Sequence, residues 1–205
     1  MTMSRTRTAT ALTAVALAAT VLSACSSADQ NAADASTTAG HGAHSASSSA
    51  PSSAVNAAYN DTDVNFATMM YPHHAQAVDM ANLVDGKDAS ADVVALAAEI
   101  KGAQQPEMDA FTRLLASWGK PAPKPTMDHA MDGMMTDAQM DRLKSLRGTD
   151  FDREWLTMMI QHHRGAISMA DTELASGVNA ETRQIATDIK SGQQAEIDRM
   201  QKLLG

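Results

Sequence analysis

The feature that most constrains the fold is an internal repeat with a fixed offset of 89 residues. The offset pairs residues 63–115 with residues 152–204 without a gap, and about a third of the paired positions are identical. A match of this length without a gap is hard to obtain by chance. It predicts a duplicated unit, with repeats at about 63–118 and 150–205.

Each copy has the pattern of two helices. Apolar residues recur at helical spacing, and Ser90 is a good N-cap for the second helix. Strand patterns are missing from the sequence, since β-branched runs are few and no Asn-Gly hairpin turn occurs. Short links favour antiparallel neighbours, so we expect an all-α fold, a four-helix bundle of two tandem helical hairpins. The predicted helices span 63–84, 90–118, 149–175 and 179–204, with a short extra helix at about 136–146 capped by Thr136.

Pro72 falls inside the first predicted helix, where proline removes one backbone hydrogen bond and clashes with the preceding turn. The matching position in the second copy is Gln161, so the duplicated fold does not require proline there. Two interpretations stay open: a continuous helix with a kink at Pro72, which we favour, and a helix that begins there.

The N-terminus has the layout of a secretory signal peptide. Arg5 and Arg7 precede an apolar run, which ends in Leu22-Ser23-Ala24-Cys25. This ending resembles a bacterial lipobox, which implies cleavage before Cys25 and a lipid on its sulfur. An ordinary secretory signal with a leftover cysteine is the alternative. With the lipobox, we expect an exported protein that is anchored to the outer face of the cell membrane as a lipoprotein, with the lipid membrane as a partner.

The predicted organisation is a signal peptide at 1–24, a disordered tether at 25–58 and a folded domain at 59–205. The tether is rich in Ser and Ala and nearly free of large apolar residues, so it cannot bury enough surface to become ordered. Cys25 is the only cysteine, which excludes a disulfide framework and a thiolate metal site.

Charge and motifs argue against several classes of function. The net charge of −8 disfavours nucleic-acid binding. No Glu stands three residues before a His, as a diiron carboxylate bundle requires, and the His-Glu-x-x-His motif of zinc hydrolases is missing. No Gly-x-Ser-x-Gly motif supports a nucleophilic serine. We therefore expect a protein that is not an enzyme.

Both copies contain Met-Met-x-x-His-His on a predicted helix. Residues three, four and seven apart share a helix face, so histidines and methionines form one stripe in each copy, and the two stripes could face each other across a pseudo-two-fold axis. Thioether sulfur favours Cu(I), and imidazole also suits copper. Outside the cell thiolates would be oxidised, whereas thioethers still coordinate Cu(I), and Ag(I) by the same logic. The candidate metal ligands are His73, His74, Met69, Met70 and Met80 in the first copy, and His162, His163, Met158, Met159 and Met169 in the second.

The segment between the copies, 120–148, is also rich in methionine. Its polar surroundings make the methionines hard to explain as core, so we interpret them as a flexible capture arm for the metal. The candidate ligands of this arm are Met127, His129, Met131, Met134 and Met135.

A structural interpretation stays open beside the metal-binding one. Methionine is a flexible core filler, and a methionine stripe at helical spacing is usually packing. The chain would then be a non-catalytic interaction or scaffold module whose His-His motifs only stabilise the core. The sequence identifies no protein partner, oligomeric state or metal stoichiometry.

Gly133-Met134-Met135 and the stretch from Phe151 to Ala170 resemble the signature of the domain of unknown function family 305. The resemblance covers about 61–205. It implies an exported, often lipid-anchored protein with a ferritin-like helical bundle. Some members of that family are periplasmic copper binders, which the resemblance extends to His73, His74, His162, His163 and their methionine neighbours.

Overall fold

The computed structural model describes residues 58–126 and 131–205, which form five helices and no strand. The predicted all-α fold is confirmed. In the described residues no helix has the length and apolar character needed to span a bilayer. The predicted signal peptide, Cys25, Met127 and His129 lie outside the described residues. The helices are α1 (Asp61–Asn82), α2 (Ala91–Ser117), α3 (Asp137–Ser145), α4 (Gly148–Ser176) and α5 (Ala180–Leu204).

The four long helices pack as two hairpins. Helix α1 packs against α2, α4 packs against α5, and contacts between α1 and α4 join the hairpins. The indole Nε1–H of the buried Trp155 donates a hydrogen bond of 2.9 Å to the Met80 carbonyl and so ties α4 to α1. Helix α3 lies against α4. Helices α1 and α4, which carry the two Met-His motifs, therefore meet in the interior.

Each hairpin also caps a helix of the other. The Asp63 carboxylate accepts hydrogen bonds from the backbone N–H groups of Val178 and Asn179, at the start of α5. At positions 89 residues away, Asp152 accepts from the backbone N–H of Ser90, at the start of α2. Burial opposes ionisation of Asp63, but its hydrogen bonds, led by those from the Asn60 and Asn179 backbones, hold its pKa below the usual value.

Local sequence signals explain the helix bounds. Asn60 forms a capping box with Asp63, so α1 begins at Asp61, two residues before the predicted start. Helix α1 continues through Pro72, in agreement with the favoured interpretation of a continuous helix. Thr136 caps α3 as predicted, again through a capping box.

Candidate metal centre

The two Met-His motifs meet at one histidine from each. The rings of His73 on α1 and His162 on α4 have centroids 3.8 Å apart, with planes inclined at 41°. Both side chains are fully buried, as are those of His74 and His163. The four residues form an imidazole cluster in the interior of the bundle.

The outer two histidines are each held by a glutamate from the partner helix of the same hairpin. His74 Nε2 lies 2.6 Å from Glu107 Oε2 on α2. His163 Nε2 lies 2.7 Å from Glu196 Oε2 on α5. No pattern in the sequence predicts a role for these glutamates. The sequence does show that Glu107 and Glu196 are identical residues at matching positions of the two copies. Spacing along one helix cannot show, however, that each contacts a histidine of the other helix in its hairpin.

The inner two histidines have no hydrogen-bond partner in the described part of the chain. This holds for both ring nitrogens of His73 and of His162. The side-chain amides of Gln104 and Gln193, buried and 89 residues apart, also lack partners among the described residues. A buried polar group without a partner costs about 1–3 kcal/mol, so four such residues in one small bundle call for an explanation.

The inner histidines are neutral at physiological pH. Burial lowers the pKa of His73 to about 3, helped by the charges of His74 and His163. Burial likewise lowers the pKa of His162 well below its usual value, helped by the charge of His73. Neutral imidazole is the form that coordinates a metal ion, so no proton has to leave these two rings before they bind one.

The methionines of the two motifs divide into two groups. Met70, Met80, Met158 and Met159 are buried in the apolar clusters of the core, where packing alone accounts for them. Met69 and Met169 are only half-buried. Together with Met131 they line a pocket of about 450 Å³, whose acidic residues are Asp132 and Glu173. The six thioethers of the two motifs are therefore divided between the apolar core and this pocket.

Residues 131–135, here called the strap, cross from α1 to α4. The Gln76 amide donates to the Met135 carbonyl at 2.8 Å and accepts from the Met135 N–H at 2.7 Å. At Gly133, which has φ of +83°, the strap lies against Gly165 of α4, and a Cβ on Gly165 would overlap the Asp132 carbonyl. Met135 is buried in the core, although the sequence assigned it to a flexible arm. Met134 and Met131 are half-buried.

The donors present suit a soft monovalent ion. Among the described residues, no three His, Cys, Asp or Glu side chains are placed to hold one metal ion. The structure does bring together two buried imidazoles with free nitrogens, and Met69 lies one helical turn before His73. Imidazole with thioether is a donor set that fits Cu(I).

Solved structures with the same fold include two that are described as DUF305 proteins. A fragment from Deinococcus radiodurans is 32% identical, with a TM-score of 0.66 over 71% of this chain and 97% of its own. A candidate secreted protein from Streptomyces coelicolor is 29% identical, with a TM-score of 0.65 over 70% of this chain and 91% of its own.

A third similar structure is that of CopM with bound Cu(I). It is 30% identical, with a TM-score of 0.59 over 69% of this chain and 94% of its own. CopM has also been solved with Cu(II) and with Ag bound. No curated protein matches this chain. A family model described as domain of unknown function (DUF305) matches residues 63–204. The chain therefore belongs to the DUF305 family.

Proposed function

We propose that this chain is an exported metal-binding protein that holds Cu(I), or Ag(I) by the same chemistry, for sequestration, tolerance or handover. One observation carries the proposal: the rings of His73 and His162 lie 3.8 Å apart in the interior, and none of their nitrogens has a partner among the described residues. Burying four such nitrogens is unfavourable unless something binds them, and a bound soft cation would satisfy them.

The proposed ligands fall into two sets. His73 and His162 hold the ion, and His74 and His163 lie beside them in the imidazole cluster as further proposed ligands. The thioethers of Met69, Met131 and Met169, which line the pocket, bring the ion from solvent. Met127, His129 and Met134 extend this capture function along the segment between the copies, whereas Met135 is assigned to the core in which it is buried. Met70, Met80, Met158 and Met159, which are candidate ligands from the sequence, are left out of both sets, because core packing accounts for their positions.

Relatives support the choice of metal and the site of action. CopM, 30% identical, has been solved with Cu(I), Cu(II) and Ag bound. The Streptomyces coelicolor relative is described as a candidate secreted protein, in line with the predicted signal peptide. We propose further that an acylated Cys25 anchors the mature chain to the outer face of the cell membrane. The proposed role is binding rather than catalysis.

The competing function is a scaffold module whose His-His motifs only stabilise the core. The burial of Met70, Met80, Met158 and Met159 favours it, because these side chains fill apolar clusters without any metal. The two functions differ in what a histidine variant loses. In the scaffold, His73→Ala lowers thermal stability and nothing else, whereas in the metal protein it also lowers metal affinity.

Anaerobic titration of the mature protein with Cu(I) against a competing chelator tests the proposal. We expect tight binding by the wild type and at least a tenfold loss of affinity in His73→Ala. Met69→Leu in the pocket should weaken binding, and Met70→Leu, its buried neighbour, is the matched control that should not. Binding by the wild type no tighter than by a variant with every motif His and Met changed to Ala would remove the proposal.

The capture segment is tested separately. Deletion of residues 127–130, with the strap left in place, should lower the number of ions bound before it lowers the tightest affinity. Loss of the tightest affinity instead would place the site in that segment and leave the motif stripes as core.

A further inference from the structure

Two glutamates lie beside the imidazole cluster and contact its outer histidines. Glu107 on α2 contacts His74, and Glu196 on α5 contacts His163, each through the histidine Nε2. The two contacts occur at matching positions of the two copies and have nearly the same length, 2.6 and 2.7 Å. Such short separations are typical of hydrogen bonds that involve an ionised group.

The direction of these hydrogen bonds follows from exposure. The glutamate side chains are 23% and 20% exposed, so their carboxylates are also in contact with water. An ionised carboxylate accepts hydrogen bonds and cannot donate them. The proton in each contact therefore sits on Nε2 of the histidine.

The other nitrogen of each ring is Nδ1, which the glutamate does not contact. Nδ1 of His74 and Nδ1 of His163 are buried and have no partner among the described residues. Because Nε2 is taken up by the glutamate contact, Nδ1 is the ring nitrogen of each residue that is left without a partner in the part of the chain that the structure describes.

We propose that Glu107 and Glu196 are positioning residues that fix His74 and His163 as Nε2–H tautomers, so that Nδ1 is the ligand atom of each. The inference rests on the proposed function for its metal, but the tautomer itself is a property of the apo protein. A carboxylate that holds a ligating histidine in one tautomer and orientation typically contributes 10- to 100-fold to metal affinity.

The ¹⁵N spectra of histidine-labelled apo protein test the tautomer without any metal. We expect the His74 and His163 rings to be protonated on Nε2 alone. Glu107→Ala should change the tautomer of His74 and leave His163 unchanged, and Glu196→Ala should do the reverse. Glu107→Gln should restore the wild-type spectrum of His74, because its amide oxygen can still accept from Nε2. A merely structural role predicts no such rescue and no selectivity between the rings.

The matched control is Glu99→Ala, which removes an exposed glutamate of α2 that pairs with Arg199. It should leave both ring spectra unchanged. Wild-type rings protonated on Nδ1, or on both nitrogens, would overturn the inference. An Ala variant with an unchanged tautomer would overturn it as well.

Titration with Ag(I) then links the tautomer to the metal. We expect Glu107→Ala to weaken Ag(I) binding by about 10- to 100-fold and Glu107→Gln to weaken it less. Unchanged affinity in Glu107→Ala would overturn the positioning role. If the wild type binds no Ag(I) at all, the proposed function fails, and the ¹⁵N spectra still decide whether the glutamates set the tautomer.

Discussion

Gln76 and Gly165 occupy matching positions 89 residues apart, yet they hold the strap in opposite ways. The side-chain amide of Gln76 donates one hydrogen bond to the Met135 backbone and accepts another from it. Gly165 has no side chain, and the strap fills the space that a Cβ would occupy. The two copies therefore differ at these positions, because the chain has one strap, which contacts α1 and α4 in different ways.

Gly165→Ala should destabilise the protein by about 1–3 kcal/mol, because the added methyl group overlaps backbone atoms of the strap. The control is Gly102→Ala on α2, where a Cβ meets open space. Alanine favours a helix over glycine, so this control should raise the free energy of unfolding by up to about 1 kcal/mol. Urea unfolding of both variants measures the difference. Equal stability of the two would show that the strap does not lie against Gly165.

Glu173→Gln should remove a pH dependence of stability. Burial raises the pKa of Glu173 to about 7, and Asp63 beside it contributes. A carboxyl group whose pKa rises on folding stabilises the protein at low pH. This contribution to the free energy of unfolding is lost as pH increases from about 4.5, the pKa of the group in the unfolded chain, through about 7, its pKa in the folded protein. Between pH 5 and pH 8 we expect the free energy of unfolding to fall by about 2 kcal/mol more in the wild type than in the variant.

Urea unfolding at both pH values measures this difference. Comparison with the wild type isolates Glu173, because the buried His73 titrates equally in both proteins. Asp198→Asn, on the exposed face of α5, is the control and should follow the wild type. A variant that keeps the full pH dependence would show that Glu173 is ionised in the folded state.

Gln193→Met should stabilise the apo protein. The Gln193 amide is buried without a partner among the described residues, and an apolar side chain of similar shape avoids that penalty. We expect a gain of about 1 kcal/mol in thermal or urea unfolding. Gln194→Met, at the next and exposed position, should change stability little. A loss of stability in Gln193→Met would mean that the amide is satisfied in solution, for example by a buried water.

Cys25→Ala should release the protein from the membrane to the soluble fraction, because the substitution removes the only sulfur that could carry the lipid. Fractionation of cells followed by detection of the folded domain measures the distribution. Ser26→Ala, next to the predicted cleavage site, is the control and should leave the protein at the membrane. A Cys25→Ala protein that stays membrane-bound would contradict the lipobox prediction.

Much of the fold follows from signals that act over a few residues. Ser90 and Thr136 cap helices in the structure as their hydrogen-bonding chemistry predicts. The predicted start of α1 is two residues late, because the sequence pattern favours Asp63 as the first helical residue, whereas Asp63 closes a capping box with Asn60. The use of Asp63 to cap α5 depends on contacts between hairpins, which no local pattern contains.

The candidate site was predictable only in part. Helical spacing placed His73 and His74 on one stripe with Met70, and duplication suggested that the stripes meet. Helical spacing could not show which histidine of each pair faces the other copy, because both histidines lie on the stripe of the helix that is predicted to face it. Helical spacing also could not show that Met70 packs in the core while Met69 lines a pocket, because the two are consecutive residues of the same helix.

The most direct test follows the ring nitrogens of His73 and His162 by ¹⁵N NMR as one equivalent of Ag(I) is added to histidine-labelled protein. We predict that the resonances of both rings shift together and saturate at that equivalent, because one ion binds between them. Binding of Ag(I) that leaves both rings unchanged, or no binding, would contradict the account.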